Sequence, residues 1–392
     1  MTTHATPALP RDRLRIASVE AHVFRYPIQV PVRTSFGTMT DRPAVFVKIT
    51  DDEGATGWGE VWCNFPACGA EHRARLVHTV MAPLLQGRSF DGPQAAWEAL
   101  TAQTAVLAIQ SGEPGPMAQA ISGIDLALWD LAARRAGQPL WRYLSCNTAG
   151  TEPARIPVYA SGINPDGAVE RAQQMRQAGH RAFKLKVGFG AERDTANLQA
   201  LRAELGDATL LMADANQAWT LNDAIAMTPR LAPLRLAWLE EPLRADTPWA
   251  EWQSLKARAP MPLAGGENLA GEDAFDAAVH ARVFSILQPD VAKWGGISAC
   301  WGVVHRARAA GLRYCPHYLG GGLGLLASAH LLAAVGGDGL LEIDSNDNPL
   351  RSALSPALSR IDAGWVALDE VPGIGAPEDV LGVGQSVAGQ AA

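Results

Sequence analysis

Between residues 156 and 344, eight short runs rich in apolar and β-branched residues recur: IPVYASG, AFKLKVG, TLLMADAN, LAWLEEP, MPLAGGEN, FSILQPDV, RYCPHY and GLLEID. They alternate with helical stretches such as GAVERAQQMRQAG, TANLQALRAELG and GISACWGVVHRARAAG. Strands that are apolar on both faces must be covered on both faces, the condition of a parallel sheet flanked by helices. Eight strands alternating with helices predict an α/β fold, a (β/α)8-type barrel, over residues 151–350.

The chain before it has another texture. RIASVEAHVFRYPI and AVFVKITDDEGATGWGEVW read as strands, with a hairpin turn at Asp51, Asp52, Glu53 and Gly54. A long helix follows, with Ile124, Leu128 and Leu131 at helical spacing and Gly137 as its stop. Residues 14–150 are therefore expected to form an α+β capping domain. The Gly- and Pro-punctuated segment 351–392 is expected to pack back on that cap.

Bulk properties exclude several functions. A net charge of -7 without a basic run argues against nucleic acid. No stretch of about 18 apolar residues suggests a membrane span, and MTTHATPALPRDRLR lacks the apolar core of a leader, so a cytoplasmic protein is expected. Cys63, Cys68, Cys146, Cys300 and Cys315 form no CxxC pair and are expected to be free thiols.

The chemistry of a barrel sits at the C-terminal ends of its strands. There the sequence places Ser161, Lys184 with Lys186, Asp214, Glu240, Glu267, Asp290, His317 and Glu342. They are spaced by about one strand, one helix and two short loops. Asp214, Glu240 and Glu267 are three carboxylates on successive strands; together they repel unless a cation neutralises them, and an all-oxygen set favours Mg²⁺. Glu241 alternates to the other face of a regular strand and is left out. Lys184 and Lys186 share a face, so each lowers the other's proton affinity, which suits Lys186 to act as a base. His317 lies across the barrel with Asp290 one strand before it, a pairing that raises its basicity.

These residues resemble the enolase superfamily, within it the mandelate racemase subgroup. The resemblance runs through GWGE, AISGIDLALWDLAARRAGQPL, KLK, DANQAW, WLEEP, GGENL, PDVAKWGG, PHY and LLEID, nearly the whole chain. It implies one Mg²⁺ per subunit on Asp214, Glu240 and Glu267, with Lys186 the base on one face of the substrate and His317 with Asp290 serving the other. Lys184 and a protonated Glu342 are implied to stabilise the substrate carboxylate as charge develops, with Asp344 the alternative to Glu342. Ser161 and Asn216 are implied to touch substrate, and Lys293 receives no role. Muconate-lactonizing relatives carry a lysine where Asp290 stands, so Asp290 favours the racemase-type arrangement. The run YLGGGLGLLASAH after His317 is richer in glycine than the family pattern.

The implied reaction is removal of the proton next to a carboxylate through an enediolate, with dehydration of a hydroxy acid or sugar acid to a 2-keto acid as the expected outcome. Racemisation or epimerisation by the same residues is the alternative. Substrate choice is expected in residues 28–40 and 61–72, with Arg33 pairing a distal carboxylate and Trp62 or Phe65 forming an apolar wall. The expected partner is a small carboxylate, and a homo-oligomer is expected by analogy. A barrel metallohydrolase would need histidine ligands, and no His-x-His occurs. A non-enzymatic binding protein would have lost a base or ligand, and every expected position is filled.

Overall fold

The predicted hairpin forms between β2 (Thr38–Asp51) and β3 (Thr56–Val61), where Gly54 takes φ +87° and donates its N–H to the Asp51 carbonyl. The structure, a computed structural model, describes residues 6–145 and 153–389. With β1 (Leu14–Arg33) and β4 (Ser89–Phe90), these strands make an antiparallel sheet in the order β3-β2-β1-β4. Helix Pro114–Arg135 packs on β3 and ends at Ala136, followed by Gly137 at φ +64°. The packing is close: a Cβ on Gly59 would stand 2.2 Å from the Gly123 carbonyl oxygen, so this strand–helix contact requires glycine.

The eight expected barrel strands are β5 (Arg155–Ile163), β6 (Ala182–Lys186), β7 (Leu210–Asp214), β8 (Leu239–Glu240), β9 (Leu263–Gly265), β10 (Ile286–Leu287), β11 (Arg313–Tyr314) and β12 (Leu341–Asp344). Parallel pairing runs β11-β10-β9-β8-β7-β6-β5-β12. At the remaining seam the Leu340 N–H donates to Cys315 Sγ at 3.3 Å. Strands β8, β10 and β11 are short because Pro242, Pro289 and Pro316 stand two residues past their ends and have no N–H to continue the ladder. Glu267, Asp290 and His317 therefore stand on loops just past their strands. Tyr159, Met212, Trp238, Ile286, Cys315 and Leu340 are buried together in one cluster.

The last segment touches both parts. Strand β13 (Trp365–Ala367) pairs antiparallel with the start of β5. Beyond it the Ile374 N–H donates to Asp130 at 2.7 Å, Glu370 pairs with Arg142, and Gly384 lies against Phe24. Among the described residues no helix is long and apolar enough to cross a membrane, and Cys63, Cys68, Cys300 and Cys315 are free. Cys146 lies outside the described residues.

Candidate active site

The register of β6, β7 and β8 sets Lys186 beside Asp214 and Asp214 beside Glu240. Lys184, 0% exposed, meets Glu240 Oε1 at 2.5 Å and Glu342 Oε1 at 2.8 Å, with the Tyr159 ring 5.3 Å away. Burial pushes its ammonium down, but Glu240 and Glu342 outweigh burial and hold it well above its ordinary value. Lys186 meets Asp214 Oδ2 at 2.6 Å. Here the sequence expectation is corrected. Burial and Lys184 do push Lys186 down, but Asp214 outweighs them and the net direction is up.

Glu342 is also corrected. Burial raises its carboxyl, yet Lys184 and His317 prevail and hold it below the usual range. It accepts hydrogen bonds from Lys184, the Ser161 hydroxyl and the Tyr318 N–H, an arrangement for an ionised acceptor and not for a donating acid. Asp344 is engaged elsewhere, with Arg42 at 2.5 Å and the Asn346 N–H at 2.9 Å.

His317 bridges two carboxylates, Nδ1 to Asp290 at 2.7 Å and Nε2 to Glu267 at 2.8 Å. Burial lowers its proton affinity, but Glu267, Glu342 and these hydrogen bonds raise it well above the ordinary value. Asp290 is itself held by the Ala292 and Lys293 N–H groups.

Three contributors escape the reading of strand ends. Trp238 Nε1 and Gln288 Nε2 donate to Glu240 Oε2 at 3.0 and 2.7 Å, fixing that carboxylate from two sides. Each precedes a singled-out residue by two, the spacing that shares a strand face. Lys293 Nζ lies 2.8 Å from Asn268 Oδ1, 3.5 Å from Glu267 and 4.9 Å above the Trp62 ring. Glu241 does not turn to an outer face. It sits at φ +38°, buried, with Asn268 Nδ2 on both oxygens. Asn216, at φ +42°, donates its N–H to Asp214 Oδ1.

From the cap, Ser35 Oγ donates to the Asn216 carbonyl at 2.6 Å, and Phe36 meets Phe65 edge-on at 5.1 Å. Ser35, Phe36 and Asn216 border a cavity of about 440 Å³ lined also by Gly188, Gln217 and Arg244. Arg33 is 58% exposed along its side chain and pairs with Asp166 at 3.4 Å.

Residues 18–145 match the model of the mandelate racemase/muconate lactonizing enzyme N-terminal domain, and residues 167–379 that of the enolase C-terminal domain-like family. The chain belongs to the mandelate racemase/muconate lactonizing enzyme family. A mandelate racemase/muconate lactonizing enzyme of Bordetella bronchiseptica RB50 shares its structure at a TM-score of 0.89 and 57% identity, over 95% of this chain and 99% of that one. A Streptomyces coelicolor racemase with bound magnesium is similar at 0.82 and 28% identity, over 94% and 99%. D-galactarolactone cycloisomerase of Agrobacterium fabrum is 30% identical over 92% of this chain and 96% of its own.

The residues of this family member fit a hard cation. Asp214 and Glu240 are buried, Glu267 is 10% exposed along its side chain, and the neighbouring like charges oppose the ionisation of Asp214 and Glu240. Asn216 Oδ1 is a buried acceptor without a hydrogen-bond partner, a shortfall that an oxygen-coordinated ion corrects. Among the described residues no three acidic, His or Cys side chains close into a ready cage; Lys186, Lys184 and His317 each hold one of the three carboxylates.

Proposed function

We propose that the protein abstracts the proton next to the carboxylate of a sugar acid and expels the β-oxygen, giving a 2-keto acid with loss of water. One observation carries the reading: two proton-transfer groups flank a row of carboxylates, Lys186 on Asp214 at one end and His317 on Glu267 at the other. Asp214, Glu240 and Glu267 would hold an Mg²⁺, which would supply positive charge to the substrate carboxylate and would offset the Asp214 charge that keeps Lys186 protonated.

Lys186, once neutral, takes the α-proton, a role whose general-base contribution is about 10²–10⁴-fold. Lys184, oriented by Glu240 and Glu342, faces the oxygens that gain charge, and Ser161 and Asn216 complete their surroundings. His317, protonated between Asp290 and Glu267, delivers its proton to the departing β-hydroxyl. The α C–H and β C–O bonds break, an enol forms, water leaves, and the enol tautomerises to the keto acid. Residues 28–40 and 61–72 border the mouth, where Trp62 and Phe65 form the apolar side and Arg33 meets a distal carboxylate.

The likeness to a lactone cycloisomerase favours a second outcome of the same first step. When the β-oxygen belongs to a ring, elimination opens the ring and no atoms are lost. The Mg²⁺-loaded protein is incubated in D₂O with aldonates, aldarates and their lactones, following α-proton exchange by NMR and products by mass. Loss of water supports dehydration, an isomeric product the ring reading, and exchange without either an epimerase. Exchange that survives in both Lys186→Ala and His317→Asn refutes the assigned bases.

A further inference from the structure

The GWGE motif and the glycine-rich run after His317 meet each other. Glu60, at the end of β3 in the cap, is 1% exposed. Its Oε1 accepts the Gly321 N–H at 2.5 Å and its Oε2 the Gly324 N–H at 3.0 Å. Both amides lie at the N-terminus of helix Gly322–Val335, where an anion is favoured by unpaired N–H groups and the helix dipole. Among the described residues no cation pairs with this carboxylate.

The close approach explains the glycines. A Cβ on residue 321 would stand 2.6 Å from Glu60 Oε1, and one on residue 324 would stand 2.3 Å from the Tyr318 hydroxyl. The same loop is held by Asn64 from the cap, through the Leu319 carbonyl, and by Asn348, which donates to the Gly320 carbonyl at 2.8 Å. At its start stands His317, and the next residue gives its N–H to Glu342. A barrel loop bearing a proton-transfer group is thus gripped from another part of the chain.

We propose that Glu60 is a positioning residue for His317: by fixing the backbone of residues 318–324 from the cap, it holds the imidazole at the reaction site. This rests on the proposed chemistry, read so that Lys186 and His317 serve opposite faces of the α-carbon and each exchanges the proton on its own face. Glu60 touches no reacting atom, so its effect falls on one substrate face. His317 depends on the clasped loop, whereas Lys186 stands within a barrel strand.

The test is stereochemical. Gluconate and mannonate differ only at C2, so on one carboxylate frame their α-protons lie on opposite faces. Exchange of each in D₂O is followed on the Mg²⁺-loaded wild type, Glu60→Ala and Glu60→Gln, with His317→Asn and Lys186→Ala assigning the faces. Glu60→Ala slows exchange on the His317 face about 100-fold, the order expected for a misplacement of about 1 Å, through kcat more than KM, and changes the Lys186 face less than about threefold. Glu60→Gln, with the same shape and one acceptor oxygen, recovers at least about tenfold of the loss. Equal loss on both faces, or no loss on either, overturns the proposal.

A second readout does not depend on turnover. The His317 imidazole signals in ¹³C,¹⁵N-histidine-labelled protein shift in Glu60→Ala while the thermal transition remains cooperative. An unshifted imidazole overturns the proposal. If the wild type exchanges neither acid, that result counts against the proposed chemistry, and the imidazole spectrum still decides the role of Glu60.

Discussion

The guanidinium of Arg42, on cap strand β2, lies 2.5 Å from the carboxylate of Asp344, at the end of barrel strand β12, and both side chains are 1% exposed. The pair joins the two parts of the molecule through a buried charge on each. It also accounts for Asp344, which serves this junction while Glu342, two residues earlier, faces Lys184. Removing Arg42 leaves a buried carboxylate with, among the described residues, only Arg351, 3.4 Å away, as a charged partner. Arg42→Ala is expected to cost about 3–5 kcal/mol, and Arg42→Met with Asp344→Leu to recover at least about half of it. Urea unfolding measures both, and a single variant within about 0.5 kcal/mol of wild type contradicts the argument.

The carboxylates predict a graded response of metal binding. Asp214→Asn, Glu240→Gln and Glu267→Gln are each expected to weaken Mg²⁺ affinity by more than about tenfold, since changes one shell further out already cost 10–100-fold. Glu241→Gln is expected to cost less, because its oxygens are occupied by Asn268. Calorimetric titration with Mg²⁺ ranks the four variants, and Glu241→Gln as the most damaging would move the ligand role to Glu241.

His330 sets an acid limit. Burial pushes its ring down to about 4, and it stays neutral between the Trp141 N–H and the Ile374 carbonyl. The unfolded chain binds the proton near pH 6.5 and the native chain only near pH 4, so the histidine's contribution to stability is present above about pH 6.5 and lost as pH falls toward 4. Over that window the loss is roughly 3 kcal/mol. Glu60 and Asp125, both raised to about 7 by burial, act in the opposite direction over much of it. The difference between wild type and His330→Gln isolates the histidine: denaturation midpoints at pH 7 and 4.5 should converge on acidification, and parallel losses would count against it.

Arg33 tests substrate length. Its exposed pair with Asp166 is worth at most about 1 kcal/mol, weak enough to be exchanged for a substrate carboxylate. Arg33→Ala is expected to raise KM for an aldarate about tenfold, the value of one charge-assisted contact, and to leave an aldonate nearly unchanged. Equal effects on both acids would remove Arg33 from the site.

The convergence of Ser161, Lys184, Lys186, Asp214, Glu240, Glu267, Asp290, His317 and Glu342 was legible because strand periodicity and the spacing of successive strands are local properties of the chain. Protonation was not. Lys186 was expected to be pushed down by Lys184, but Asp214 at 2.6 Å prevails. Glu342 was expected to carry a proton, but three donors converge on it. Those outcomes depend on distances between residues far apart in sequence, which steepen every charge interaction once water is excluded. The left-handed turn at Glu241 likewise has no signal in a run that reads as regular strand.

By itself, the sequence determined the order of strands and helices, the cap before the barrel, and which polar side chains stand near the strand ends, because apolar periodicity and turn chemistry act over a few residues. Tertiary structure alone decided that Arg42 meets Asp344, that Glu60 grips the loop after His317, and in which direction each buried acid or base is shifted. Each of these depends on buried partners that only the folded chain brings within hydrogen-bonding distance, where desolvation makes a missing partner costly and a present one decisive.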